Sequence, residues 1–311
     1  MKIREIATGL QFPEGPIAMD DGSVILVEIA RQTTTRITPD GKHHLVAKHG
    51  GGPNGAAIGP DGAIYVTNNG GFKWMTDPVH GLRPTHQADD YSGGRIERVN
   101  IATGKIERLY EKSGDLPLRG PNDLVFDSTG GLWFTDLGKA RASELDHGGV
   151  FYARADGSAI RTISHPFMTA NGIGLSPDEK TVYVAETVAA RLWAFDIDAP
   201  GTIKRHGFPS PNGGRLVGGG NPADGFQRYD SMCVDAEGNI LVATLMKGGI
   251  TVFSPDGSKV EHIALSGDVY VTNCCFGGKD MRTLYVTLSG HGKLIAIDDW
   301  PTKGLRLAYN A

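Results

Sequence analysis

Cysteine is scarce in this 311-residue sequence, with Cys233, Cys274 and Cys275 the only three. Adjacent Cys274 and Cys275 would point to opposite faces of a strand, and Cys233 alone cannot build a disulfide framework. All three read as small buried core residues in a reducing compartment. Charge of one sign is also missing: 31 Lys+Arg stand against 35 Asp+Glu, a net charge of −4. Without a basic footprint, nucleic acid is excluded as a partner. No apolar run approaches the roughly 20 residues that span a bilayer. The N-terminal MKIREIATGL carries charges where a signal peptide needs an apolar core. The expectation is a soluble, cytoplasmic chain with no membrane partner. The serine-nucleophile motifs are absent in a supporting context. The glycine-rich GGGPNG lacks the Lys-Ser/Thr of a phosphate loop. The ten histidines show no metal-ligand spacing.

What the chain has in excess is glycine. It holds 44, about twice average usage, together with 17 prolines and no collagen period. Such a chain makes many tight turns and hence many short strands. The turns recur in register. One pattern, a polar residue, an apolar run, a turn and a second apolar run, begins at Glu14, Asn54, Asn122, Asn171, Asp230 and Asn273. Asp21-Gly22, Asp61-Gly62, Thr129-Gly130 and Glu237-Gly238 stand at one offset, and Asp178 and Asp280 fall there too. Each copy reads as a β-hairpin, commonly followed by a second hairpin such as GVFYARADGSAIRTI or GITVFSPDGSKVEHI. Four strands in each of six repeats describe an all-β fold, a six-bladed β-propeller occupying 1–311 as a single domain. IREIATGL can supply the strand that closes the ring. Two stretches exceed the repeat. One is the insertion at 72–92, expected over the site face as a lid or a dimer arm; the other, SPNGGRLVGGGNPADGFQRY, precedes Asp230.

Rotation about a propeller axis brings equivalent positions together. The six leading residues, Glu14, Asn54, Asn122, Asn171, Asp230 and Asn273, are all carboxylates or carboxamides. They should ring one mouth of the channel. Such hard oxygen donors suit Ca²⁺, Mg²⁺ or Mn²⁺ better than soft metals. Glu14 and Asp230 would neutralise a divalent ion, and the asparagines would add neutral oxygens. No histidine lies in the ring, which argues against a His-rich zinc site.

FPEGP, GPNDLVFDSTGGLWFTD, ANGIGLSPDEKTVYVAET and SMCVDAEGNILVAT, in that order, resemble the senescence-marker-protein/gluconolactonase (regucalcin-like) family over nearly the whole chain. The resemblance implies a propeller with one divalent metal in the channel mouth, calcium first, with zinc, magnesium, manganese or iron as further candidates. It implies hydrolysis of a sugar lactone or related cyclic ester. Carried over, Glu14, Asn171 and Asp230 match metal ligands, with Asn122 completing the metal shell or binding substrate. Asp230 is also the implied general base, the catalytic residue. Asn54 is a substrate-binding candidate. Relatives commonly hold an arginine two residues before the third-copy asparagine. Here that place is Gly120, and the nearest arginine, Arg119, stands in as the candidate. Asp224, in PADGF, competes with Asp230 on local motif but has the wrong offset to the following hairpin. The partner implied is a small-molecule lactone, with the chain a monomer or homodimer. The alternatives are other metal-assisted chemistry on a cyclic or phosphoester substrate, and a non-catalytic metal-binding propeller.

Overall fold

A computed structural model describes residues 1–309. Six antiparallel sheets follow one another around the chain. Blade I is Pro13–Ala18, Val24–Glu28, Thr33–Ile37 and His43–Lys48; blade II is Pro53–Ile58, Ile64–Asn68, Arg95–Val99 and Ile106–Tyr110. Blade III comprises Pro121–Phe126, Gly131–Asp136, Gly148–Arg154 and Ile160–Phe167, and blade V comprises Arg228–Val234, Ile240–Leu245, Gly249–Phe253 and Val260–Ala264. Blade VI joins Val271–Gly277, Thr283–Leu288 and Lys293–Asp298 to the N-terminal Lys2–Ala7. The ring is therefore closed by hydrogen bonds between the two ends of the chain, which protects a sheet edge.

Blade IV departs from the four-strand expectation. Its third strand, Arg191–Ala199, is long enough to pair along one half with Thr202–Lys204 and along the other with Arg215–Gly219. The fifth strand is drawn from the long stretch before Asp230. The described residues contain no α-helix, only a short 3₁₀ turn at Pro222–Asp224.

The first hairpin of each blade turns in one way. In each, a backbone N–H closes back on the carbonyl three residues earlier: Gly22 on Met19, Gly62 on Gly59, Gly130 on Asp127, Glu179 on Ser176, Gly238 on Asp235 and Met281 on Gly278. The donor residue has positive φ in all six, and four of the six are glycine. Glycine adopts that conformation without a Cβ penalty, which explains the recurring Gly at one offset.

The core is distributed over the seams between blades. The six apolar clusters each join neighbouring blades; one packs Trp133, Val150 and Tyr152 of blade III against Val182, Trp193 and Phe195 of blade IV. Trp133 and Trp193 are core residues, as their strand pattern predicts. Cys233 and Cys274 lie in the seam of blades V and VI with their sulfurs 3.2 Å apart, and all three cysteines are free. Threonines at the ends of second strands link blades near the axis. Thr67 Oγ1 donates to the Asn122 carbonyl at 2.5 Å, and Thr135 Oγ1 donates to that of Asn171. These hydroxyls satisfy buried carbonyls that would otherwise cost about 1–3 kcal/mol each.

Candidate active site

All six leading residues sit on the innermost strands and are buried. In each blade the pairing of this strand slips at or beside the leading residue: between Glu14 and Ile17, Pro53 and Ala56, Pro121 and Leu124, Ala170 and Ile173, Tyr229 and Met232, and Val271 and Asn273. A bulge re-aims side chains away from the normal alternation. Here it leaves Asn54, Asn122, Asn171 and Asp230 out of the ladder, while Glu14 and Asn273, at the edge of the slip, stay opposite Val27 and Thr287.

The strands approach so closely behind the ring that some positions exclude a side chain. A Cβ on Gly55 would stand 2.6 Å from the Asn122 carbonyl oxygen, and one on Gly172 would stand 2.6 Å from that of Asp230. The corresponding position in blade III is Asp123, not glycine.

Five of the six, Glu14, Asn54, Asn122, Asn171 and Asp230, line one cavity of ≈ 400 Å³. The sixth, Asn273, faces deeper into the channel and donates from Nδ2 to Glu14 Oε2 at 2.8 Å. Glu14 Oε2 also accepts from the Gly15 N–H at 2.9 Å. Asn171 donates to Thr187 Oγ1 at 2.9 Å, which turns its amide oxygen toward Ser231 and the axis.

The electrostatics centre on three carboxylates. Burial pushes Asp230 up to about 7, with the charge of Asp123 adding to the effect. Burial likewise pushes Asp123 up to about 7. Glu14 is driven well above the usual carboxylate range by burial, then by the charges of Asp230 and Asp123. Among the described residues no cation acts on any of the three. Like charges drawn together in a low-dielectric site without a counter-charge fit a divalent cation. No group of three or more His, Cys, Asp or Glu side chains among the described residues is arranged as a complete metal cage. A cation here would therefore draw on the carboxamide oxygens beside the carboxylates.

Several sequence candidates separate at this point. Asp224 is exposed on its 3₁₀ turn, whereas Asp230 is buried on the axis. Arg119 does not line the ring cavity. Its backbone is held by Asp136 and by the Tyr91 hydroxyl, and its side chain turns toward Asp146 in a neighbouring recess. Proximity to Asn122 in sequence does not carry the side chain to the axis. Asp136 is a strand-end brace whose oxygens accept the N–H groups of Arg119, Gly120 and Gly138 at 2.7–2.8 Å. Glu28 and Glu186 serve comparable structural roles, held by Thr35 and Arg31 and by Arg191 and Trp193.

Both long stretches reach the cavity. Residues Phe72–Asp77 and Gly81–Gln87 form a hairpin outside the six blades. Phe72, Arg83, Pro84 and Thr85 from it line the cavity, as do Phe226 and Arg228 from the second stretch. Trp74 packs on Phe12 with ring centroids 5.2 Å apart, while His80 and His86 are exposed. The hairpin base is fastened by buried Lys139, whose Nζ donates to Asn69 Oδ1 and the Gly71 carbonyl, both at 3.0 Å, and lies 3.7 Å from the Phe72 ring centroid. Burial pushes the Lys139 amine well down, against the pull of Asp136.

Sequence reasoning missed the cavity roles of Arg228 and Arg83 and the weight of Asp123. Asp123 carried a usable signal: an acid in the slot that holds Gly15, Gly55, Gly172, Ser231 and Cys274 in the other copies.

Comparison with known proteins agrees with this architecture. Gluconolactonase of Zymomonas mobilis subsp. mobilis is 28% identical over 92% of this chain and 79% of its own length. Lactonase drp35 of Staphylococcus aureus (strain USA300) is 30% identical over 83% of this chain and 71% of its own. Regucalcin from Agrobacterium tumefaciens, a calcium-binding protein, superposes with a TM-score of 0.72 at 20% identity, covering 97% of this chain and 94% of that one, which is a likeness of fold. Residues 12–290 match the SMP-30/gluconolactonase/LRE-like family, and the chain belongs to that family.

Proposed function

We propose that the protein is a divalent-metal-dependent lactonase, opening a lactone by attack of water at its carbonyl carbon. The observation that carries this is the cluster of Glu14, Asp230 and Asp123, buried on the axis without a counter-charge and flanked by carboxamides. The relatives named gluconolactonase and lactonase supply the reaction class. A cation held by Glu14, Asn171 and Asp230, with Asn122 at its edge, would supply Lewis-acid polarisation of the ester carbonyl. Calcium suits this all-oxygen donor set first.

The remaining work falls to the chain itself. Asp230, once charged, accepts the proton of the attacking water through its carboxylate. Attack forms the new C–O bond; collapse of the tetrahedral adduct breaks the ring C–O bond and returns a proton to the leaving alkoxide. The product is a hydroxy acid. Asn54 and Asn122 orient the ester from the cavity floor through their amides, and Asn273 fixes the Glu14 carboxylate by its hydrogen bond. Phe72 and its hairpin cover the mouth and limit water to the reacting molecule.

The test is proton release from a panel of aldonolactones and apolar γ- and δ-lactones, using metal-stripped protein with single divalent ions restored. Turnover returning with one ion, and falling at least about 100-fold in Asp230→Ala, is the expected result. Full turnover in the stripped protein, or in Asp230→Ala, overturns the proposal.

A further inference from the structure

The cavity that holds the acidic ring also holds two arginines that the ring does not use. Arg228 enters from the start of the blade V inner strand, two residues before Asp230, and Arg83 comes from the hairpin over the mouth. Nine of the 17 arginines pair with an acid, lying within 4.0 Å of a carboxylate. Among the described residues Arg83 and Arg228 are in no such pair. Arg228 Nε is buried with no hydrogen-bond partner, an expensive state for a charged donor. Its guanidinium stands over Phe226, with 5.6 Å to the ring centroid. Among the described residues Arg83 donates only to the Met75 sulfur, at 3.1 Å, a weak acceptor.

The two cations belong to one wall. Both charges act on the phenol of Tyr270, which also lines the cavity. The acids near that wall are otherwise engaged. Asp77 Oδ1 accepts the N–H groups of Val79 and His80 at 2.9 and 2.8 Å, and Asp268 accepts those of Tyr270 and His291 at 2.7 and 2.9 Å. Neither acid lines the cavity. The chamber is thus polarised, with carboxylates and carboxamides on its floor and two free guanidiniums on its wall.

We infer that Arg228 and Arg83 form an anion-binding subsite, so that the lactone taken by this cavity carries a second, anionic group, a carboxylate or a phosphate, remote from its ester. The inference rests on the lactonase reading and adds the substrate class to it. Guanidinium forks pair with both oxyanions, and a charge-assisted bond to this wall fixes the far end of the substrate while the ester meets the floor. The volume, ≈ 400 Å³, suits a single-ring sugar acid.

Two matched pairs test it. Glucaro-1,4-lactone differs from glucono-1,4-lactone by a carboxylate, and 6-phosphoglucono-1,5-lactone differs from glucono-1,5-lactone by a phosphate. The expected result is a kcat/KM higher for one charged member than for its neutral partner by about 10- to 100-fold, the range of one charge-assisted hydrogen bond. Arg228→Gln should collapse that ratio, and Arg83→Gln should lower it, each with an intact thermal transition. Which pair responds distinguishes carboxylate from phosphate. Both neutral lactones turned over as well as their charged partners, or a ratio unmoved in both variants, overturns the subsite.

Calorimetric titration of gluconate, glucarate and 6-phosphogluconate separates the two claims. Tight binding of glucarate or 6-phosphogluconate that is lost in Arg228→Gln, without turnover of any lactone, keeps the subsite and sinks the lactonase reading. Equal affinity in wild type and Arg228→Gln shows that a charged acid is held by the ring alone, and overturns the subsite. Absence of binding by all three acids also overturns it.

Discussion

A buried carboxylate without a counter-charge is costly, and this chain places Glu14, Asp123 and Asp230 together. The cost has a direction in pH. With Asp123 and Asp230 pushed up to about 7 from an ordinary 3.8, the folded chain holds more protons than the unfolded chain between those values. Stability therefore falls as pH rises through that window. In metal-free protein the thermal midpoint should drop from pH 5 to pH 8, and the drop should shrink in the Asp123→Asn, Asp230→Asn double variant. A divalent cation should raise the midpoint more at pH 8 than at pH 5, because protons compete for the same oxygens. Equal shifts at both values would contradict a cation seated on these acids. At this scale the ring was legible, since the repeat alignment superimposes its members without knowledge of any contact. Asp123 was hidden because a repeat-based reading looks for sameness, and its importance lies in differing from the small residues of the other copies. Arg119 was misplaced because a residue two positions upstream of a bulged strand can turn either way; its backbone hydrogen bonds to Asp136 and Tyr91 turn it outward.

The elements that aim the ring are the bulged inner strands, and their spacing depends on missing side chains. Gly55→Ala should destabilise the fold by about 1–3 kcal/mol in chemical denaturation, because its Cβ meets the backbone of blade III at 2.6 Å. Gly207→Ala, where a Cβ meets nothing within 4 Å, is the control and should be near neutral. The hairpin at Phe72–Asp77 and Gly81–Gln87 obeys a different rule, since it lies outside the blades and meets the mouth through aromatic contacts. Trp74→Ala removes the packing on Phe12, worth about 0.5–1.5 kcal/mol, and should raise KM severalfold with little loss of kcat. A large fall in the thermal midpoint would instead make the hairpin part of the framework. The hairpins of the blades were readable from alternation and turn residues. The fifth strand of blade IV was not, because Arg215–Gly219 has the glycine-rich look of a loop and gains its partner only from the length of Arg191–Ala199.

The whole molecule holds its site by closing a circle. The seams between blades share the apolar core; the last packs Tyr285, Leu294 and Ala296 of blade VI against Val24, Leu26 and Ile37 of blade I, with Ala7 added by the pairing of Lys2–Ala7 on Lys293–Asp298. Removing residues 1–8 should leave Lys293–Asp298 as an open edge, lowering the thermal midpoint and promoting association measurable by light scattering. The closure was visible in the sequence because the last repeat lacked a strand and the first residues offered one. The polarity of the chamber was not visible, because its floor comes from the repeated positions while Arg83 comes from the inserted hairpin and Arg228 from a strand position ahead of the repeat's first residue. The most direct test of the whole account is to measure bound divalent metal and lactone turnover on the same samples of wild type, Glu14→Gln and Asp230→Asn. The account predicts one equivalent of metal with turnover in the wild type, and loss of both in the two variants. Turnover that persists in Asp230→Asn after its metal is gone would contradict it.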